Sequence, residues 1–260
     1  MRIAVVGGTG TLGALVVREL ASRKHEVRTL SRRSLLYPVD LETGGGLDIA
    51  MRGCDAVVDV SNAVWGKRSE EILVRGTQRL LSAEKSAGIR HHACVSIIGC
   101  EKVPARYYEN KSRQEQIVRD GAVSWSIVRA TQFHELLAGA FSRAAQWGVL
   151  PSLKIPLQTV ACDEVAKCVA DIVECSPRYG EFKIAGPEIM EMRDMARRWR
   201  SVTGRRAILM PVPLWGKLRR ALDEGVLTEP KPDLRGRLSF EGWLKDSIVA
   251  SARVPLPMTD

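Results

Sequence analysis

Arg2-Ile-Ala-Val-Val-Gly-Gly-Thr-Gly-Thr-Leu-Gly-Ala-Leu-Val-Val-Arg-Glu-Leu20 carries a strand, a glycine turn and a helix in one unbroken run. Ile3 to Val6 form a short apolar run suited to a parallel strand covered on both faces. Gly7, Gly10 and Gly13 follow at three-residue spacing. The first lets the chain turn sharply off the strand, the second admits a pyrophosphate close to the backbone, and the third lets the helix pack on the sheet. The helix N-terminus then offers free N–H groups and its positive dipole end to an anion. A glycine triplet alone also fits a tight turn without a ligand. The strand before it, an amphipathic helix over 11–23 with Leu12, Leu15, Val16 and Leu20 on its inner side, and a second strand over 26–30 favour a dinucleotide site. Thr9, Thr11 and Leu12 lie in the same turn and are candidate cofactor contacts.

The residues after the second strand bear on which dinucleotide fits, because that strand end lies over the adenosine ribose. An Asp or Glu there takes the ribose hydroxyls of NAD. This chain has Ser31, Arg32 and Arg33. A hydroxyl and two guanidiniums suit the 2′-phosphate of NADP, which arginine grips through forked, charge-assisted hydrogen bonds; a basic surface loop is the plainer alternative. Glu26 is no rival, since it opens the strand. Asp40-Leu41 reads as part of a short third strand and a further cofactor contact. Asp55 to Val60 is another buried strand, ending in Ser61-Asn62-Ala63, small polar residues placed in the crevice where an α/β sheet holds its ligand.

A long helix is expected over 69–87, then a strand over 91–98 with His91 and His92 at its amino end, as structural or solvent-facing residues. The chemistry concentrates at Ser96 and in Tyr107-Tyr-Glu-Asn-Lys111. Tyr107 and Lys111 are four apart and share one helix face. A lysine ammonium near a phenol favours the phenolate and draws the tyrosine pKa down from about 10; it can also hold the nicotinamide ribose. The tyrosine can then exchange a proton with a substrate oxygen as hydride moves. After a strand over 124–129, Thr131, Gln132 and Phe133 are candidate cofactor contacts. His134 is a candidate acid or base, since an unperturbed imidazole titrates near neutral pH, although a lone histidine opening a helix is more often structural.

Taken together, Gly7-x-x-Gly10-x-x-Gly13, the arginines after the second strand, Ser96, Tyr107-x-x-x-Lys111 and Val128-Arg-Ala-Thr-Gln-Phe-His134 resemble the atypical short-chain dehydrogenase/reductases, in particular the NmrA-like NAD(P)-binding branch. The resemblance implies a Rossmann-type doubly wound parallel α/β sheet, NADP across the strand ends, Lys111 at the nicotinamide ribose and a smaller C-terminal α/β lobe over the substrate. The branch mixes reductases and isomerases with proteins that bind NADP only to sense redox state. In extended members the catalytic Ser or Thr often stands one residue after the first serine of the strand-end motif. That position is Ile97 here, which turns Ser96 toward the sheet and weakens it as an oxyanion partner. Tyr108, three residues before Lys111, competes with Tyr107 for the site.

The expected organisation is an NADP-binding core over 1–132, completed by about 157–185, with 133–156 and 186–260 as the substrate lobe. Within that lobe Trp215 is either an aromatic wall for an apolar substrate or a core residue, and 255–260 are expected to fray. At 260 residues the chain can bury about three quarters of its unfolded surface without staples. Six cysteines show no CxxC pair and no ligand spacing, so reduced thiols and no metal are expected. No apolar run reaches the roughly 18 residues of a membrane span, and the first strand begins where a signal peptide would stand, so a cytoplasmic protein is expected. The net charge of +9 is spread along the chain, its densest cluster over 193–206 reading as a solvated helix face, which argues against nucleic acid. Composition and motifs converge on a protein that uses NADP(H) on a small molecule; they do not fix its oligomeric state, and a monomer or homodimer is expected. Reduction of a carbonyl, quinone or conjugated ketone leads, with redox-neutral epimerisation and NADP sensing as alternatives.

Overall fold

Ile3 and Val5 pack into one layer of the core and Ala4 and Val6 into the other, and none of the four is exposed beyond 2%. Such a strand can only lie inside a sheet covered on both faces. The computed structural model describes residues 1–64 and 66–252, and this strand lies in a seven-stranded, wholly parallel sheet. The first half of the chain runs β1 (Arg2–Val6), α1 (Thr11–Ser22), β2 (Glu26–Leu30), α2 (Leu47–Met51), β3 (Ala56–Asp59), α3 (Lys67–Glu70), a π-helical stretch (Glu71–Gly76), α4 (Thr77–Ala87), β4 (His91–Ile97), α5 (Arg106–Arg119) and β5 (Trp125–Ala130). The second half runs β6 (Gln132–Phe133), α6 (His134–Ala145), β7 (Val149–Ser152), β8 (Pro156–Val160), α7 (Cys162–Glu174), β9 (Glu181–Ala185), β10 (Ile189–Glu191), α8 (Met192–Thr203), β11 (Ile208–Pro211), α9 (Gly216–Asp223), β12 (Leu234–Arg235) and α10 (Phe240–Ala252).

Strand order in the large sheet is β12-β9-β5-β4-β3-β1-β2. From β1 the chain goes first to β2 on one side and then to β3 on the other, so the strand order reverses between β1 and β3. That switch point opens a crevice at the carboxyl ends of the two strands, where ligands of open α/β sheets bind. Helices α1 and α7 cover one face; α2, α4 and α5 cover the other. Two small sheets, β10-β8-β6 and β11-β7, together with α6, α8 and α10, build a separate apolar cluster around Phe141, Met195, Trp199 and Phe240.

Several expectations change. Asp40 makes only an isolated bridge to Gly45, and Ser31 one to Pro38, so no strand forms at Asp40-Leu41. Pro38 lacks the N–H a ladder requires, and Gly44 and Gly46 both turn with positive φ. Leu234–Arg235, in the stretch expected to form the substrate lobe, edges the large sheet beside β9. Trp215 does not fill the core and is not one of the residues lining the crevice at the strand ends; it is 76% exposed ahead of α9. His91 and His92, expected as structural or solvent-facing, take the structural role: both are buried, His91 against Ser126 Oγ at 2.9 Å and His92 against Glu84 at 2.8 Å. All six cysteines are unpaired. No helix among the described residues is long and apolar enough to cross a membrane. The expected fraying over 255–260 lies outside the described residues.

Candidate active site

The turn after β1 is built from backbone that leaves no room for side chains. Gly7 has φ +79°, and a Cβ there would stand 3.0 Å from the backbone of Val60 and Ser61 on the neighbouring strand end. A Cβ on Gly13 would stand 2.1 Å from Gly7 O, which fixes how closely α1 approaches the turn. Gly10 caps α1 without any side-chain hydrogen bond, so the first N–H groups of the helix remain available to an anion.

This turn forms one end of a cleft of about 790 Å³. Every residue expected to touch cofactor or substrate lines it, apart from Arg33, His134 and Trp215. Two of those lining atoms, Ser61 Oγ and Gln132 Nε2, are buried and have no protein partner. Buried polar atoms at a cleft wall call for a ligand or water. The cradle of glycines, the open helix end and these two atoms fit a dinucleotide lying from α1 across the strand ends.

At the adenosine end, Ser31, Arg32, Asp40 and Leu41 line the cleft. Arg32 Nη1 stands 3.7 Å from Glu42 Oε1, which also accepts from Arg68 Nε at 2.5 Å. Asp40 turns one oxygen inward to accept the Glu42 N–H. Arg33 is exposed outside the cleft, its N–H donating to Ser31 Oγ.

Toward the other end, α5 presents Tyr107, Tyr108 and Lys111. Lys111 is 3% exposed; its ammonium donates to Val95 O at 2.8 Å and to Gln114 Oε1 at 2.7 Å, leaving one N–H for a ligand. Gln114 passes the interaction on, donating from Nε2 to Asp59 Oδ2 and Thr77 Oγ1. A buried amide thus links the cation to a buried carboxylate on β3. Tyr107 OH donates to Asn62 Oδ1 at 3.1 Å, which spans the cleft from α5 to the end of β3. The Tyr108 ring meets Tyr107 edge-on at 5.2 Å, and burial pushes its hydroxyl up to about 12. Forming a phenolate is therefore costly at Tyr108.

Ser96 is 2% exposed, and its Oγ lies 4.0 Å from Cys100 Sγ. Beneath it Glu115 stays a carboxylate despite burial, because Arg129 holds both its oxygens and Arg119 adds a third contact. Ile97, not a hydroxyl, stands next along β4 at the cleft. Thr131 spends its hydroxyl on Gly186 N–H.

His134 is a correction. It is 1% exposed, Nδ1 pairs with Thr159 Oγ1 at 2.8 Å, Nε2 meets Leu238 O at 3.0 Å, and the ring packs against Phe240 and Trp243. Burial lowers its pKa. With both nitrogens engaged away from the cleft, it fastens α6 to β8 and α10 and has no access to a reacting atom. Sequence reasoning missed Glu135, Leu136 and Arg143, which α6 brings to the cleft. Their signal is positional: they follow the strand end at Gln132–Phe133 on the helix that leaves it.

The family described as NAD(P)H-binding matches residues 7–175. A phosphate reductase of Streptomyces griseus, named (4-alkanoyl-5-oxo-2,5-dihydrofuran-3-yl)methyl phosphate reductase, is 29% identical over 78% of this chain and 74% of its own length. The photosystem II assembly factor Ycf39 of Synechocystis is 24% identical over 82% of this chain and 71% of its own. Among solved structures, the NADPH-dependent quinone oxidoreductase QOR2 of Escherichia coli, complexed with NADPH, superposes with a TM-score of 0.78 at 15% identity, covering 95% of this chain and 99% of that one. The fold is shared with that oxidoreductase, and the chain belongs to the NAD(P)H-binding family whose model it matches.

Proposed function

We propose that the protein is an NADPH-dependent reductase of a carbonyl, quinone or conjugated ketone carried on a small, mostly apolar molecule. One observation carries this reading. The dinucleotide cradle and the Tyr107/Lys111 helix face lie along a single cleft, with the tyrosine hydroxyl already aligned by Asn62. When bound, the nicotinamide supplies the hydride. Lys111 holds the nicotinamide ribose with its free N–H and places positive charge near the phenol. Tyr107 gives its proton to the substrate oxygen as that oxygen becomes an alkoxide. Tyr108, with its raised pKa, forms part of the apolar wall. Arg32 takes the 2′-phosphate, and the lobe built around α6, α8 and α10 covers the substrate. The named reductases among the relatives support this reading.

A second reading has one observation in its favour. The place of the family's strand-end hydroxyl holds Ile97, and a relative is named for assembly and not for catalysis. A non-catalytic NADP-binding protein would keep the cradle and omit turnover. Mixing the protein with NADPH and a panel of quinones and conjugated ketones separates the two, with absorbance at 340 nm as readout. The reductase consumes NADPH, and Tyr107→Phe lowers kcat by about 10²-fold or more while leaving NADPH affinity intact. Unchanged turnover in the variant removes Tyr107 from the chemistry; absence of NADPH oxidation across the panel favours the binding protein.

A further inference from the structure

Charged side chains along the cleft can be accounted for one at a time. Lys111 bonds Val95 O and Gln114, and Glu135 turns its carboxylate to the Cys162 N–H at the start of α7. At the adenosine end Arg32 faces Glu42, and Asp40 accepts the Glu42 N–H. Arg143 alone of the cleft-lining charges has no hydrogen-bond or ion-pair partner among the described residues.

Its direction is set by helix geometry. A helical side chain leans toward the N-terminus over the preceding turn, and Arg143 Nη1 lies 3.5 Å from where a Cβ on Gly139 would be. The guanidinium thus lies along α6 over Gly139, toward the end of the helix that opens onto the cleft. Leu136, 51% exposed, shares that helix face seven residues earlier.

In the proposed reading the cofactor's own phosphates lie elsewhere. They belong at the α1 N-terminus beyond β1 and at Arg32 beyond β2. Helix α6 follows β5, and the order β5-β4-β3-β1 puts three strand spacings, about 14 Å, between the β5 end and the glycine turn. Ile97, Phe133 and Leu136 give the same cleft apolar lining.

We propose that Arg143 is an anion subsite for the substrate, so that the molecule reduced has an apolar body and one carboxylate or phosphate monoester remote from the reacting carbonyl. The inference rests on the reductase reading for the word substrate, and its test is binding, independent of turnover. Guanidinium forks engage either anion in two parallel hydrogen bonds, with phosphate offering one oxygen more.

Calorimetric titration of the NADP⁺-loaded protein with phenyl phosphate, benzoate and the neutral benzamide provides the measurement. At least one anion binds about 10-fold more tightly than benzamide, and the preferred one tells a phosphate from a carboxylate source. Arg143→Gln abolishes the difference, Arg143→Lys keeps part of it, and neither shifts Tm or NADPH affinity, because the side chain has no protein partner to lose. Anions that bind no better than benzamide overturn the proposal. So does equal anion binding in the wild type and Arg143→Gln, or a 10-fold loss of NADPH affinity in that variant with anion binding intact. The binding result stands whether or not the quinone panel shows NADPH oxidation.

Discussion

Of the helices that line the cleft, α1 and α6 contribute to it in opposite ways. Helix α1 contributes backbone: three glycines, uncapped N–H groups and no side chain that a ligand need recognise. Helix α6 contributes side chains: Leu136 and Arg143 on one face, with His134 buried on another to hold the helix down. Every dinucleotide presents the same pyrophosphate, so its end of the cleft can be made of steric rules. The substrate end needs chemistry particular to one molecule, and side chains carry that.

The same substitution at both helices breaks the comparison most sharply. Gly13→Ala puts a Cβ 2.1 Å from Gly7 O, a backbone atom pinned by the Gly10 N–H and by the neighbouring strand ends, so α1 must move. It should destabilise by about 3 kcal/mol and weaken NADPH by about 10²-fold, seen in Tm and in NADPH fluorescence titration. Gly139→Ala meets only the far end of the flexible Arg143 side chain. There a helix-interior alanine should stabilise by about 0.5–1 kcal/mol with NADPH affinity unchanged. Equal effects at the two positions would mean that the glycines of α1 are not sterically required.

His134 sharpens the contrast within α6 itself. Its neutral ring is favoured by burial, which outweighs its bond to Leu238 O and the more distant Glu135, Glu164 and Glu188 carboxylates. Because the folded pKa lies below the unfolded value of about 6.5, the unfolded chain binds the extra proton as pH falls below that value. Stability should therefore decline on acidification from about pH 6.5 toward the lower folded pKa and stay level with respect to this group above it. His134→Gln should cost about 2 kcal/mol at pH 8 through the lost hydrogen bonds and ring contacts, and flatten this part of the acid limb. Denaturant melts at pH 8 and pH 5.5 give both numbers. Turnover that falls with Tm unchanged would return the residue to the chemistry.

How much could be read from the chain follows the same division. The β1–α1 unit was legible because its steric demands leave glycine as the only residue type at two positions. Lys111 was legible through its spacing from Tyr107. Its support was not, since Gln114, Asp59 and Thr77 lie on three different elements and meet only in the folded core. The strand expected at Asp40-Leu41 does not form, because Pro38 lacks a ladder N–H and Gly44 and Gly46 turn with positive φ. Helix α10 went unread although Ser239, whose Oγ accepts the Gly242 N–H, marks its start and Phe240 and Leu244 sit four apart in the core. The lobe strands β7, β10 and β12 have four residues or fewer, too short for any period to show. Arg143 carries no motif; only its missing partner in three dimensions singles it out.

The adenosine end offers the smallest effect and the finest test of the backbone rule, because there the cleft departs from it and uses a side chain. Ser31-Arg32-Arg33 suggested a pair of arginines for the 2′-phosphate, whereas only Arg32 lines the cleft. Arg32 faces Glu42, which Arg68 also holds, and Asp40 stands beside it, so a dianion gains the one cation lining the cleft here in the company of nearby carboxylates. The preference for NADPH over NADH should accordingly be modest. Arg32→Ala should weaken NADPH by about 10-fold, roughly 1.4 kcal/mol, and leave NADH unchanged, while Arg33→Ala changes neither by more than about 2-fold. Parallel fluorescence titrations with the two cofactors read the ratio directly. If Arg32→Ala weakens both equally, the guanidinium serves the adenosine or pyrophosphate, and the selectivity resides elsewhere; if Arg33→Ala carries the loss, the loop over 31–38 closes on the cofactor when it binds.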